Sequence, residues 1–174
     1  GVSSGGAFGA VLATLLPSIA PGLAFHFGPL SYVQAMAFGG SLSAVAMIYW
    51  LARAGSRVTT LELLLAGVTM GMIFNALILV VRYLANPNLL VEMDRWMMGG
   101  LTINGWRDVL LTLPLLVPAF AVCLGLARGL DQIGFGEELA AGRGVDVERL
   151  QKLGFVFGSL AVAAVVSIAG AIGF

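Results

Sequence analysis

The sequence predicts an all-α integral membrane protein, a helical bundle with about five transmembrane helices. Of its 174 residues, 59% are hydrophobic and 10% are charged, and the mean hydropathy is +0.99. Soluble domains carry about 25% charged residues, so the composition excludes that class. Apolar segments long enough to cross a bilayer, which takes about 20 residues, run over Gly6–Phe27, Leu30–Leu51, Leu61–Val81, Val109–Ala127 and Leu153–Phe174.

Prolines mark two of these segments. The first contains Pro17 and Pro21, and the fourth contains Pro114 and Pro118. Proline can kink or break a transmembrane helix, and neighbouring helices then satisfy the freed carbonyl groups. We therefore expect the first crossing to be shorter than its apolar length suggests.

Basic residues predict which connections lie in the cytoplasm. The links after the second and fourth segments contain Arg53, Arg57, Arg128, Arg143, Arg149 and Lys152. The connections on the opposite side contain Arg82, Arg95 and Arg107. Because cytoplasmic loops carry the excess of basic residues, the second and fourth links are predicted to be cytoplasmic.

The third connection is expected to contain a short helix at the outer surface. After Asn86-Pro87, apolar residues recur at helical spacing: Leu89, Leu90, Met93, Trp96 and Met97. The pattern ends at Gly99-Gly100 and predicts about three helical turns, either interfacial or re-entrant.

Small residues at four-residue spacing predict close helix packing. Gly67 and Gly71 lie on one face of the third segment, which Asn75 continues, and Gly154 and Gly158 do the same on the fifth. Such spacing lets helix backbones approach closely. An intramembrane Asn faces a helix interface or a water path, so Asn75 is either an interhelical hydrogen-bonding group or part of a path.

The fourth link is a charged, glycine-punctuated insert, Gly134–Leu150. Gly136 is predicted to cap a short helix with Glu137 and Glu138 in its first turn, where negative charge is favourable. Gly142-Arg-Gly144 should end that helix, and Asp146 is a candidate N-cap for the next. The insert is either a docking surface for another protein or a solvated connector.

The sequence contains no catalytic constellation, so we expect no enzymatic activity, no catalytic residue, no metal site and no cofactor in this chain. His26 is the only histidine and Cys123 the only cysteine, which excludes a multi-histidine metal site and an internal disulfide. The formal net charge of zero argues against a nucleic-acid partner.

Several short motifs resemble one known family, the permease subunits of bacterial ATP-binding-cassette importers for iron–siderophore complexes, haem and vitamin B12 (FecCD type). They occur in family order across the chain, at Gly1–Ala7, Leu63–Gly67, Trp96–Leu101, Gly136–Leu150 and Ala169–Phe174. The resemblance implies one transmembrane permease domain over 1–174, truncated at both ends. It would supply the third to seventh helices of a ten-helix permease in the bacterial inner membrane.

The resemblance also implies roles for individual residues. The insert would be the segment that couples to the ATPase, through Gly136, Glu137, Glu138, Ala140, Gly144, Val145 and Arg149. Glu137 and Glu138 would lie on its contact face. Thr60 and Leu61 map to the cytoplasmic gate, although Leu61 departs from the small polar residue expected in the vitamin B12 branch. Asn75 and Trp96 would line the translocation path.

The partners implied by the resemblance are cytoplasmic ATPase subunits, an extracytoplasmic substrate-binding protein, a second permease subunit and the lipid bilayer. The substrate would be an iron–siderophore or a similarly bulky metal chelate. Two alternatives remain open from the residues: a secondary transporter driven by an ion gradient, and a membrane scaffold that uses the insert only to recruit a partner. The first would need an intramembrane ion site, for which Asn75 alone is thin support.

Overall fold

The computed structural model describes residues 1–19, 31–53, 59–99 and 106–171, and the regular structure in these ranges is entirely helical. This confirms the predicted all-α class. The helices are α1 (Val2–Ile19), α2 (Tyr32–Ala52), α3 (Thr60–Leu84), α4 (Pro87–Met97), α5 (Trp106–Gly134), α6 (Glu137–Gly142) and α7 (Val147–Ala169).

The predicted membrane segments correspond to α1, α2, α3, α5 and α7. The last four are long and apolar enough to cross a bilayer, whereas the apolar part of α1 is shorter, Val2–Pro17. The end of the first predicted segment, with Pro21 and His26, lies outside the described residues, as do Arg57 and 172–174. Pro114 and Pro118 both lie inside α5.

The closest helix packing is between α1 and α2, at glycines on both helices. A methyl group built at Gly40 would meet the carbonyl oxygen of Gly5 and would lie 3.0 Å from the Cα atom of Gly9. A methyl group at Gly6 would lie 2.5 Å from Ser41 Oγ. The two backbones are therefore in direct contact, and an added side-chain atom on this face has no room.

The glycines singled out on α3 and α7 leave more room for a side chain, although a methyl group built at Gly1 would lie 2.6 Å from the carbonyl oxygen of Gly67. A methyl group at Gly71 would lie 3.4 Å from the backbone nitrogen of Gly1, which is ordinary contact, and one at Gly67 would meet nothing within 4 Å. Gly154 faces Leu130 at 3.7 Å, and Gly158 faces open space. Four-residue glycine spacing thus marks the α3 contact with the chain start, but the tightest interface lies at Gly5, Gly9 and Gly40.

Two apolar clusters pack α3 against the first pair of helices. One joins α2 and α3 through buried Ala44, Ile48, Ala52, Ala66, Met70 and Phe74. The second joins α1, α3 and α4 through Ala7, Val11, Ile78 and Met93. The rings of Phe8 and Phe74, with centroids 5.7 Å apart, connect α1 to α3.

The short outer helix forms where it was predicted, as α4. Pro87 is the first residue of α4, a position where proline is well tolerated. Met93, in the middle of the helix, is fully buried. Arg82 near the end of α3 forms an ion pair with Asp94, N–O 2.5 Å. These contacts hold α4 against α1 and α3.

Two glycines with positive φ bring the ends of α4 and α7 together. Gly99 has φ 64° and Gly170 has φ 80°, a backbone region that favours glycine. A methyl group at Gly170 would lie 2.6 Å from the carbonyl oxygen of Trp96 and 3.0 Å from Gly99 Cα. This contact explains physically why glycine recurs in both the Trp96–Leu101 and Ala169–Phe174 motifs.

Neighbouring glycines on α2 provide a matched test of the α1–α2 contact. In the full-length parent protein in detergent, Gly40→Ala is expected to lower the free energy of unfolding by about 2 kcal/mol because of overpacking. Gly39→Ala meets nothing within 4 Å and should have no cost, or a small gain, from its better helix propensity. Thermal unfolding measures both, and equal stabilities would contradict the packing described.

Candidate functional site

The charged insert contains the starts of two helices, α6 and α7, at the positions that the sequence predicts. α6 begins directly after Gly136, whose φ of 131° lies in the region that L side chains rarely adopt. It ends at Gly142, and Gly144, with φ 82°, turns the chain towards α7. Glycine is therefore required by the backbone at Gly136 and Gly144.

The turn between α6 and α7 is closed by local hydrogen bonds. The backbone N–H of Val145 donates to the carbonyl oxygen of Ala140 at 3.1 Å, and Ala140 is buried. Asp146 Oδ1 accepts from the backbone N–H of Arg149 at 3.1 Å and so caps α7. The insert is thus an ordered element with its own anchor.

Part of the insert presents large apolar side chains beside charged ones. Leu139 is 63% exposed, and Phe135, two residues before the short helix α6, is 78% exposed. Glu138 and Arg143 are exposed next to them in sequence. We call Phe135, Glu138, Leu139 and Arg143 the insert surface. Exposed apolar groups framed by charges are typical of surfaces that contact another protein or a membrane.

Glu137 has a different environment from Glu138. Its carboxylate atom Oε1 accepts a hydrogen bond from Thr60 Oγ1 at 2.8 Å and another from Gln151 Nε2 at 2.7 Å. Gln151 Nε2 also lies 2.9 Å from Thr60 Oγ1. We call these three residues the polar junction. It joins the first residue of α3, the first residue of α6 and the second turn of α7.

The start of α3 is fixed by its own cap. Thr59 and Glu62 form a capping box: the Glu62 N–H donates to Thr59 Oγ1 at 3.3 Å, and the Thr59 N–H donates to Glu62 Oε2 at 3.0 Å. Thr60 therefore sits at the positive end of the α3 dipole, where the carboxylate of Glu137 is favourable. Its backbone N–H also points to Glu137 Oε1, at a long 3.5 Å.

A cavity of about 720 Å³ lies beside the polar junction, between α3, α5 and α7. Its lining includes all three junction residues, and otherwise is mainly apolar: Leu63, Cys123, Leu130, Ile133, Phe135 and Phe155. The junction is therefore bordered by open space on one side, and packing does not enclose it completely.

The polar junction also defines one end of the bundle. It places the start of α3, which follows the second link, beside the insert in the fourth link. Lys152 Nζ lies 5.6 Å from the ring centroid of Tyr49, which brings the end of α2 to the same place. The two links predicted to be cytoplasmic therefore share one end, while α4 and Gly170 lie at the other.

The remaining predicted site residues lie in separate environments. Leu61 is 67% exposed at the start of α3, and Asn75 is exposed further along the same helix. Trp96 instead packs against the buried Met93 cluster. The structure thus brings Thr60 and Glu137 together, whereas Asn75 and Trp96 belong to different surfaces.

Gln151 is the site residue that reasoning from the sequence missed. A glutamine near a helix start is common and carries no distinguishing pattern. Gln151 is only 8% exposed although it lies among charged neighbours, and this burial becomes visible only when α3, α6 and α7 are assembled.

The fold and the insert define a multi-pass helical membrane protein with an ordered segment on one membrane surface. The model of the FecCD transport family matches residues 1–174. The chain belongs to the FecCD transport family, a family of transport permeases of the inner membrane.

Individual relatives agree with this assignment. The chain is 38% identical over its full length to the cobalamin import system permease protein BtuC of Halobacterium salinarum, of which it covers 44%. It is 30% identical to the hemin transport system permease protein HmuU of Yersinia pestis, again over its full length and 51% of the relative. With the ferric enterobactin permease protein FepD of Escherichia coli the identity is 27%, over all of this chain and 50% of the relative.

A solved structure supports the fold itself. An inward-facing ABC transporter, described as being of metal-chelate type, superimposes with a TM-score of 0.84 over 99% of this chain and 52% of that chain, at 24% identity. The chain spans about half the length of the curated relatives it matches.

Proposed function

We propose that the full-length protein is the membrane permease of an ATP-binding-cassette importer for a bulky metal chelate, with 1–174 forming a single domain of it. The observation that carries the proposal is the ordered insert. Its exposed Leu139 and Phe135 stand beside charges at the end of the bundle predicted to be cytoplasmic. A cytoplasmic ATPase subunit would dock there, and family membership supports this assignment.

The coupling segment would run from Gly136 to Leu150, and its residues would have different structural roles. Gly136 and Gly144 set its backbone, and Ala140 with Val145 anchors it. Arg149 contributes the backbone N–H bound by the Asp146 cap. These contacts keep the insert surface in a fixed shape, which reduces the entropy lost when a partner binds.

The translocation path would follow the exposed face of α3. This helix leaves large apolar side chains uncovered along its length, including Leu64, Val68, Met72 and Leu79. Asn75 lies on the exposed side as well, and a polar group facing lipid is unfavourable. We therefore propose that a second permease subunit and the path itself cover this face, with Thr60 and Leu61 as the gate at its cytoplasmic end.

An ion-gradient mechanism receives less support. In the described helices, charged residues lie within the first or last two turns, such as Glu62 and Arg82 in α3 and Lys152 in α7. Secondary transporters place ion-binding groups near the middle of the membrane. The energy for transport would therefore come from ATP hydrolysed on a separate subunit, and an extracytoplasmic binding protein would deliver the substrate.

Cobalamin is the first substrate to test, ahead of the iron–siderophore that the sequence suggested. The cobalamin permease of Halobacterium salinarum shares 38% identity with this chain, compared with 30% for the named hemin permease and 27% for the ferric enterobactin permease. The vitamin B12 permeases of Klebsiella pneumoniae and Vibrio vulnificus share 31% and 29%. All three names denote bulky metal complexes, and this chemical class is the substrate class proposed here.

Uptake into proteoliposomes tests the transport function. The full-length parent, reconstituted with its ATPase subunit and binding protein, should accumulate labelled cobalamin, haemin or ferric siderophore only when ATP is present. Dissipating the proton and sodium gradients should leave uptake unchanged. Uptake that follows an ion gradient without ATP, or no uptake of any of the three classes, would contradict the proposal.

Charge reversal on the insert surface tests ATPase docking. Glu138→Arg in the full-length protein should weaken binding of the ATPase subunit by about tenfold, because charge patterning fixes the register of such contacts. The matched control is Glu92→Arg, an exposed acidic residue of α4 at the other end of the bundle. Co-purification at graded salt gives both affinities, and equal retention of the ATPase subunit by the two variants counts against docking at the insert.

A further inference from the structure

We propose that Gln151 is a positioning residue that links the insert to the start of α3, so that displacement of the insert is transmitted to Thr60. This inference rests on the function proposed above, because the link matters for transport only if the insert receives a force from an ATPase subunit. In this proposal the polar junction couples the insert to the start of α3.

The geometry of the junction is a closed network. Thr60 Oγ1 donates to Glu137 Oε1, and the same hydroxyl lies within hydrogen-bond distance of Gln151 Nε2, which also donates to Glu137 Oε1. A hydroxyl can donate once and accept at the same time, and an amide nitrogen has two protons to donate. Each side chain is therefore held by the other two, and three helices meet at one point.

The junction is the polar attachment of the insert to α3. Among the described residues, every side-chain hydrogen bond between the insert and α3 joins Glu137 to Thr60. Hydrogen bonds to a carboxylate are stronger than neutral ones, and burial of Gln151 strengthens them further. A movement of α6 therefore acts on the first turn of α3 through these contacts.

The environment of Glu137 separates its role from that of Glu138. The sequence placed both on the contact face, yet the carboxylate of Glu137 accepts hydrogen bonds from α3 and α7, while Glu138 is exposed. Glu138 is thus available to a docking partner, whereas the carboxylate of the half-buried Glu137 is engaged in hydrogen bonds within the chain. The carboxylate of Glu138 would contact the ATPase subunit, and the carboxylate of Glu137 would transmit the resulting displacement of α6 to α3.

An apolar groove adjoins the junction. The three junction residues border about 720 Å³ of open space between α3, α5 and α7. At this groove the insert is joined to α3 by directional side-chain hydrogen bonds. Gln151, on α7, contributes two of the three contacts that close the network.

The test measures the coupling ratio, defined as substrate imported per ATP hydrolysed, in proteoliposomes containing the full-length permease, ATPase subunit and binding protein. Gln151→Leu should lower this ratio about tenfold while the ATPase subunit remains bound. Ser159→Ala is the matched control, because Ser159 is a buried polar residue two turns further along α7 and outside the junction. Its ratio should stay at the wild-type value.

Thr60 provides a second and independent arm. Thr60→Val removes the hydroxyl and should reproduce the loss seen with Gln151→Leu, whereas Thr60→Ser keeps the hydroxyl and should retain a clearly higher ratio than Thr60→Val. The double variant Thr60→Val with Gln151→Leu should be no worse than either single variant, because residues of one network are not additive. If Gln151→Leu does not insert, the Thr60 pair decides the question.

The outcomes separate this inference from the importer function. An unchanged ratio in Gln151→Leu, equal ratios in Thr60→Ser and Thr60→Val, or a double variant showing the product of the single effects would each overturn the link. Transport by the wild type would still stand in those cases. Absence of ATP-dependent uptake by the wild type would instead overturn the proposed function itself.

Discussion

Direct backbone contact between α1 and α2, at Gly5, Gly9 and Gly40, is the packing on which the rest of the bundle depends. In a membrane, burying apolar side chains against other helices gains little over lipid, so association relies on close van der Waals contact. The glycines allow that approach, and the paired helices then form the surface against which α3, α4 and α7 pack. An added side-chain atom at Gly40 has no room to occupy.

The two ends of the bundle are held together by different kinds of contact. At the outer end, glycines with positive φ join α4 to α7 through backbone contact, which leaves no room for a side chain at Gly99 or Gly170. At the other end, α3, α6 and α7 meet through the side chains of Thr60, Glu137 and Gln151 beside an open cavity. Backbone packing at one end and a hydrogen-bonded junction at the other are compatible with the proposed docking of an ATPase subunit beside α6.

The sequence predicted the helices well because their signals are local. Hydropathy marked the spans, Pro87 and Gly99 delimited α4, and Gly136 with Asp146 located the two helix starts in the insert. The signals failed where structure depends on distant contacts. Gly67 and Gly71 share the spacing of a tight interface, but the tightest contacts formed between α1 and α2. The sequence of a single helix does not specify which other helix becomes its neighbour. For the same reason Gln151 was missed.

Protection of a cysteine on the insert tests the central claim, that this segment is the docking site of an ATPase subunit. In the full-length protein with Cys123→Ser, Leu139→Cys should react rapidly with a water-soluble maleimide and become protected when the ATPase subunit is added, since the side chain at this position is 63% exposed. Val91→Cys on α4, 60% exposed, should react equally with and without it. Equal labelling of Leu139→Cys in both conditions, while the complex remains assembled, would contradict the account.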